Sequence, residues 1–236
     1  MSKDYVIKAE NLSKVYPGDG IVVEALKNAS FTIYPGEFVV VLGPSGSGKS
    51  TLLNIIGGMD QPSGGELLYE GRNLTSYSRD QLSDYRREAV GFVFQFFNLI
   101  PSLTALENVE LAASMGKQSE DSGEVLKWVN LAGREKHFPS QMSGGEQQRV
   151  SIARAIVKKP KLLLCDEPTG ALDSKNSIDV VRILLQIRDQ IGCPVVAITH
   201  NAGMAQIADR VFYMKDGQLQ KIETNEHPLS VEELVW

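Results

Sequence analysis

Gly43-Pro44-Ser45-Gly46-Ser47-Gly48-Lys49-Ser50 fits the pattern G-x-x-x-x-G-K-[ST] without slack. The β-branched run Phe38-Val39-Val40-Val41-Leu42 stands before it, and Thr51-Leu52-Leu53-Asn54-Ile55-Ile56 follows in a helical pattern. A strand feeding a glycine loop that opens a helix is the context in which such a loop cradles phosphate. Glycines at 43, 46 and 48 accept backbone angles that other residues resist. The loop can then turn several N–H groups inward as an anion nest, and the helix adds its positive end. Lys49 is expected to reach the β- and γ-phosphates as a point charge, and the Ser50 hydroxyl to ligate Mg²⁺. Gly57-Gly58 is expected to end the helix.

Bulk properties narrow the classes. The chain has 236 residues, 42% hydrophobic and 22% charged, ordinary for a globular protein able to bury a core without metal or disulfide support. With 24 Lys and Arg against 29 Asp and Glu, the net charge is −5. No overall positive field draws it to nucleic acid or anionic lipid. The basic pairs Arg86-Arg87 and Lys158-Lys159 read as solvated surface. Cys165 and Cys193 lie in or beside apolar runs and read as buried free thiols in a reducing compartment. Lys3, Asp4, Lys8 and Glu10 interrupt the N-terminus, so no signal-peptide stretch is expected there. No apolar run approaches the roughly 18 residues that a membrane span needs.

Along the chain, β-formers cluster at Tyr5-Val6-Ile7, Val22-Val23 and Phe31-Thr32-Ile33, with turn signals at Pro17-Gly18-Asp19-Gly20 and Pro35-Gly36. They predict an antiparallel sheet that also takes Glu66-Leu67-Leu68-Tyr69. Helical patterns cover residues 78–90, 105–115, 121–132, 144–158 and 174–190. Apolar strands are predicted at Phe92–Gln95, Leu162–Cys165 and Val195–Thr199. Continuous apolar strands alternating with helices argue for a buried parallel sheet and an α/β class. Val211–Met214 and Gln218-Leu219 flank an Asp216-Gly217 hairpin turn. The tail from Thr224, with Leu234, Val235 and Trp236 at its end, leaves two readings open: packing back on the fold, or contact with a partner.

Leu162-Leu163-Leu164-Cys165-Asp166-Glu167 is a second phosphate-site signal. A carboxylate at the end of a parallel strand faces the crevice where ligands bind. Asp166 can hold Mg²⁺ through its water shell, and Glu167, pointing elsewhere, can take a proton from an attacking water. Ser143-Gly144-Gly145-Glu146-Gln147-Gln148-Arg149 is a third. Ser143 with Glu146 makes a capping box, Val150, Ala153, Ile156 and Val157 form one apolar stripe, and Pro160 follows the helix. Two adjacent glycines leave N–H groups uncovered at the helix tip, which suits an anion.

These motifs together resemble those of the ATP-binding-cassette (ABC) ATPases over about residues 4–225. Met142 and Glu146 replace the Leu and Gln of the usual Leu-Ser-Gly-Gly-Gln signature, and Glu146 is expected to engage its own backbone and point away from nucleotide. Gln95 matches the Q-loop, Ala171-Leu172-Asp173 the D-loop, His200 the switch histidine and Tyr16 the A-loop aromatic that stacks on adenine. The resemblance implies a P-loop NTPase fold with a mixed, mainly parallel core sheet. About residues 1–35 and 66–76 would form an antiparallel β-subdomain, and 36–65 with 161–225 the nucleotide core. About 78–160 would form an inserted helical subdomain hinged at Gln95, and 226–236 a tail. It implies ATP contacts from Tyr16, Gly43, Pro44, Ser45, Gly46, Ser47, Gly48, Lys49, Ser50, Thr51 and Gln95. Ser143, Gly144, Gly145 and Asp173 would serve the ATP of a second, identical cassette. Mg²⁺ would be met by Ser50, Gln95 and Asp166, and hydrolysis carried by Glu167, His200 and Lys49.

Residues Val90–Pro101, Leu103–Val109 and Asp166–Asp173 are similar to the macrolide-export and lipoprotein-release branch of that family. This implies a separate membrane permease docking near Gln95–Pro101, with Phe97 and Leu99 as socket residues, and a place on the cytoplasmic face of the membrane. Two other readings stand beside a transporter subunit: an ATP-driven regulatory or mechanical module that moves no substrate, and a soluble ABC ATPase acting on DNA or ribosomes. DNA-repair types carry long coiled-coil insertions and ribosome types usually pair two cassettes, features this chain lacks. A GTPase is disfavoured by the lack of an Asn-Lys-x-Asp guanine reader.

Overall fold

The computed structural model describes residues 5–18 and 22–234. The first expected turn and the ends of the N- and C-terminal readings (residues 1–4, 19–21, Val235 and Trp236) lie outside them. Two sheets organise the chain. The first is antiparallel, in the order β2-β1-β4-β5, from β1 (Ile7–Pro17), β2 (Val22–Ile33), β4 (Gly64–Tyr69) and β5 (Arg72–Asn73). The second runs β10-β9-β3-β8-β7-β6, from β3 (Phe38–Leu42), β6 (Val90–Val93), β7 (Leu162–Asp166), β8 (Val195–Thr199), β9 (Arg210–Lys215) and β10 (Gln218–Thr224). It is parallel throughout except for the β9–β10 hairpin.

The central strands are apolar up to their C-terminal ends, where Asp166 and Thr199 stand, because both faces are covered. Phe38, Val40, Leu163, Cys165, Val195 and Ala197 face one core, and Val39, Val41, Leu162, Leu164, Val196 and Ile198 the other, as strand alternation requires. The first core is closed by α3 (Ala105–Met115), α4 (Ser122–Trp128), α5 (Gly144–Ile156) and α6 (Ser174–Ile191). The second is closed by α1 (Lys49–Ile56), α2 (Arg79–Ala89) and the antiparallel sheet. Side chains as fully buried as Phe38 and Phe212 are each worth ~1.5–3 kcal/mol.

Local chemistry sets the helix ends. Ser78, Thr104 and Ser143 each start a helix with a reciprocal capping box. Asp173 caps α6, which stops at Gly192 in the left-handed region (φ 72°). The Asp216-Gly217 turn has positive φ at both residues (51° and 78°), as a two-residue hairpin demands.

Several expectations are corrected. The strand predicted at Phe92–Gln95 is Val90–Val93, so Gln95 sits in the turn beyond it. Pairing of Val90 with Leu162 sets that register. Helix α4 ends at Trp128, and a short helix α7 (Gly203–Ile207) was not foreseen. One member of each basic pair is structural. Arg86 donates to the carbonyl of Gly58, and Lys158 to that of Arg87. The tail turns back: Val231 and Leu234 are buried in the first core, and Glu232 pairs with Arg182 of α6. Both cysteines are buried, and burial pushes their thiols up, to about 11 for Cys193. Among the described residues no helix is long and apolar enough to cross a membrane.

Candidate nucleotide site

The glycine loop lies between β3 and α1 and is wedged against two walls. A Cβ on Gly43 would stand 2.2 Å from the Met214 carbonyl oxygen, and one on Gly48 would stand 2.3 Å from that of Ala25. Gly46 and Gly48 also hold positive φ (78° and 96°). Gly43 does not, so its requirement is space rather than backbone freedom. Lys49, only 8% exposed, donates through Nζ to the carbonyls of Gly43 (2.8 Å) and Pro44 (2.9 Å). Its ammonium thus sits at the centre of the loop. The Ser47 hydroxyl is buried with no partner among the described residues.

Before the loop opens a cleft of about 750 Å³. Ser45, Gly46, Gly48, Lys49, Ser50 and Thr51 line it together with Gln95, Asp166, Glu167 and His200, whereas Tyr16 does not. Asp166 ends β7. Burial, then the charge of Glu167 beside it, hold its carboxyl above the usual range, against the pull of Lys49. Glu167 follows with φ 46°, a left-handed turn fixed by its N–H on the Ile198 carbonyl (3.0 Å). Such strain at a non-glycine residue marks a side chain aimed by its surroundings. Its Oε1 lies 3.1 Å from His200 Nδ1, and its Oε2 is buried without a partner among the described residues. With the proton on Nδ1, the ring donates to Glu167 and leaves Nε2 as an acceptor.

Ser143, Gly144, Gly145 and Asp173 do not line this cleft. Asp173 and Gly145 meet through Asn176 instead. Asp173 accepts from the backbone and side chain of Asn176 (both 2.8 Å), and Asn176 stands against Gly145, where an added Cβ would be 2.2 Å from its oxygen. Glu146 folds onto its own cap, accepting from the Ser143 N–H (2.8 Å) and meeting Arg134 Nε (2.9 Å). The Ser143 N–H, with help from Arg134, holds that carboxyl below the usual range. Beyond Gln95, Phe96 is 74% exposed and Ile100 is exposed, whereas Phe97 is half-buried and Leu99 packs on the core. The exposed members of this cluster are therefore the neighbours of the two residues expected to form a socket.

Two further residues escaped the motif reading. Gln148 is fully buried and donates to the Pro168 carbonyl (2.9 Å), tying α5 to the turn that carries Glu167. Arg154, two turns later, donates to the carbonyls of Phe97 and Asn98. A Gln and an Arg on the polar side of a helix carry no local signal of such contacts.

Residues 26–170 match the family model described as ABC transporter. The chain belongs to the ABC transporter family. An uncharacterized ABC transporter ATP-binding protein of Methanocaldococcus jannaschii, MJ0796, is 44% identical, covering 92% of this chain and 97% of that one. Its dimeric structure in a post-hydrolysis state bound to ADP and Pi superposes with a TM-score of 0.84 at 42% identity, covering 92% of this chain and 98% of that one. The lipoprotein-releasing system ATP-binding protein LolD of Idiomarina loihiensis is 40% identical over 92% of this chain and 98% of its own. The macrolide export ATP-binding/permease protein MacB of Wolinella succinogenes is 45% identical over 91% of this chain, which spans 34% of that protein's length. The fold expected from the motifs is thus an ABC ATPase fold.

Proposed function

We propose that this chain is the ATP-binding and ATP-hydrolysing subunit of an ABC transporter, working as a homodimer with a membrane permease. The observation that carries the reading is the single cleft in which a phosphate loop, Gln95, Asp166, Glu167 and His200 converge. The loop N–H groups and Lys49 would hold the β- and γ-phosphates, with Tyr16 under the adenine. The Glu167 carboxylate would accept a proton from the attacking water. As the bond from water to the γ-phosphorus forms, the bridging bond breaks and its electron pair leaves with ADP. Lys49 stabilises the charge that spreads over the transferring group, as His200 would with protons on both ring nitrogens. Ser143, Gly144 and Gly145, lying outside the cleft, would close it on a second copy, as the dimeric MJ0796 cassette suggests.

Mg²⁺ fits this donor set. Asp166 is a carboxyl whose ionisation is disfavoured by its surroundings, and Glu167 Oε2 is a buried acceptor without a described partner. Ser50, Gln95 and Asp166 are the residues that would hold the ion, which when bound neutralises charge on the phosphates. This yields a test. The raised Asp166 carboxyl binds its proton more tightly in the folded chain than in the unfolded one. Its cost to folding is therefore full above the folded pKa and fades as pH falls through it toward the ordinary Asp value of about 4. Asp166→Asn should raise Tm without nucleotide, on the order of 1–2 °C at neutral pH after solvent screening. The gain should shrink in acid, while Mg²⁺-dependent hydrolysis is lost. A lowered Tm, with hydrolysis intact, would remove the ion-site reading.

The membrane partner is tested at Phe96. An exposed aromatic beside Ile100 is the kind of anchor that interfaces bury. Phe96→Asp should abolish co-purification with an integral membrane protein from solubilised membranes, a loss of about 30-fold or more in affinity. Unstimulated ATP hydrolysis should stay within about twofold. Undiminished co-purification would move the docking surface elsewhere. LolD and MacB, whose names tie them to lipoprotein release and macrolide export, make export or extraction of peptides, antibiotics or lipoproteins the cargo classes to assay first.

A further inference from the structure

Tyr16 stands near the end of β1, and its ring is held by a cluster that no phosphate motif contains. Its hydroxyl donates to Asp60 Oδ2 at 2.7 Å. Asp60 Oδ1 accepts from Lys14 Nζ (2.6 Å) and from the Gln61 N–H (2.7 Å), and Lys14 Nζ also donates to the Gln61 carbonyl (2.7 Å). Residues 14 and 16 share one face of the strand, which brings Lys14 Nζ to 4.7 Å from the centroid of the Tyr16 ring. The Lys14 side chain is only 12% exposed. An ammonium immobilised this far gives up most of its rotamer freedom, and an exposed ion pair alone seldom offsets that loss. The cation over the ring and the further acceptor, the Gln61 carbonyl, explain why it stays.

Asp60 does not belong to the sheet that carries Tyr16. It follows the C-terminal cap of α1, with its N–H and that of Met59 on the Asn54 carbonyl. Helix α1 begins in the glycine loop. Through Asp60 the ring is therefore referenced to the helix that grips phosphate as well as to its own strand.

We infer that Asp60, backed by Lys14, is a positioning residue that aims the Tyr16 ring from the phosphate-binding helix, so that base and phosphates are gripped in one register. This rests on the reading of Tyr16 as the adenine platform. A purine nucleoside triphosphate gains from it. Inorganic tripolyphosphate, which has no base, does not.

The test uses the full chain and isothermal titration with ATP, with tripolyphosphate measured by competition. Asp60→Asn and Tyr16→Phe should each weaken ATP by about 3–10-fold, the loss of one charge-assisted hydrogen bond. Tripolyphosphate affinity should stay unchanged. In a Tyr16→Ala background, Asp60→Asn should add nothing, because its effect runs through the ring. Equal weakening of both ligands by Asp60→Asn, or a loss of ATP affinity that persists without the ring, would reduce Asp60 to a support of α1 and overturn the inference. If Asp60→Asn does not fold, Tyr16→Phe removes only the hydroxyl, and unchanged ATP affinity in that variant overturns it equally. Tyr16→Ala with unaltered ATP affinity would instead overturn the platform reading itself.

Discussion

Glu167→Gln should bind ATP within about threefold of the parent, hydrolyse it about 10²–10⁴ times more slowly, and accumulate as an ATP-loaded dimer on size exclusion. The substitution keeps shape and keeps an oxygen to accept from His200 Nδ1, now 3.1 Å from the carboxylate. It removes only the ability to take a proton. Glu167 is the residue at which this separates cleanly, since its turn is held by its own N–H on Ile198 rather than by its side chain. Binding of nucleotide then closes two copies, and nothing reopens them. Turnover near the parent rate would assign the proton to another group. A monomer in saturating Mg·ATP would undo the two-copy arrangement while leaving the chemistry standing.

Lys49→Ala should abolish measurable nucleotide binding. The ammonium makes two short bonds to loop carbonyls, and in a complex it would exchange them for phosphate oxygens. Charge-assisted bonds are worth about 1.5–3 kcal/mol each, so losing two weakens ATP by roughly 10²–10⁴-fold. The fold should survive, because α1 is held by Leu52, Leu53, Ile55 and Ile56 in the core rather than by Lys49. Titration calorimetry of a variant with native circular dichroism separates these effects. Unchanged ATP affinity would mean that the loop binds through its backbone alone.

What the chain discloses in advance follows the reach of its interactions. The glycine loop, the capping boxes at Ser78, Thr104 and Ser143 and the Asp216-Gly217 turn depend on residues within one turn of each other. Strand and helix periodicity showed the parallel sheet because strands buried on both faces are apolar throughout. The joint order of the motifs also identified the family. The geometry that joins them was hidden. The Tyr16–Asp60 and Gln148–Pro168 bonds link residues 44 and 20 positions apart. Polar residues at such separations look like surface. Arg86 and Lys158 read as surface for the same reason, as their carbonyl partners come from elements far off in the chain. Phe97 and Leu99 seemed the open pair because an apolar run does not say which members turn inward. Phe97 and Asn98 both take positive φ (59° and 51°), and that kink turns Phe96 outward.

Helix α5 gives one stiff bar, about 20 Å long for 13 residues, two anchors of different kinds. Gln148 fastens it to the hydrolysis turn, and Arg154 to the loop that bears Phe96. A displacement at either anchor is shared by the other, since a hydrogen-bonded helix resists bending over so short a span. Free-energy coupling of this sort runs both ways. Whatever seats itself on the Phe96 loop is thereby joined to the hydrolysis turn, and any factor by which it changes nucleotide affinity is the factor by which nucleotide changes its seating.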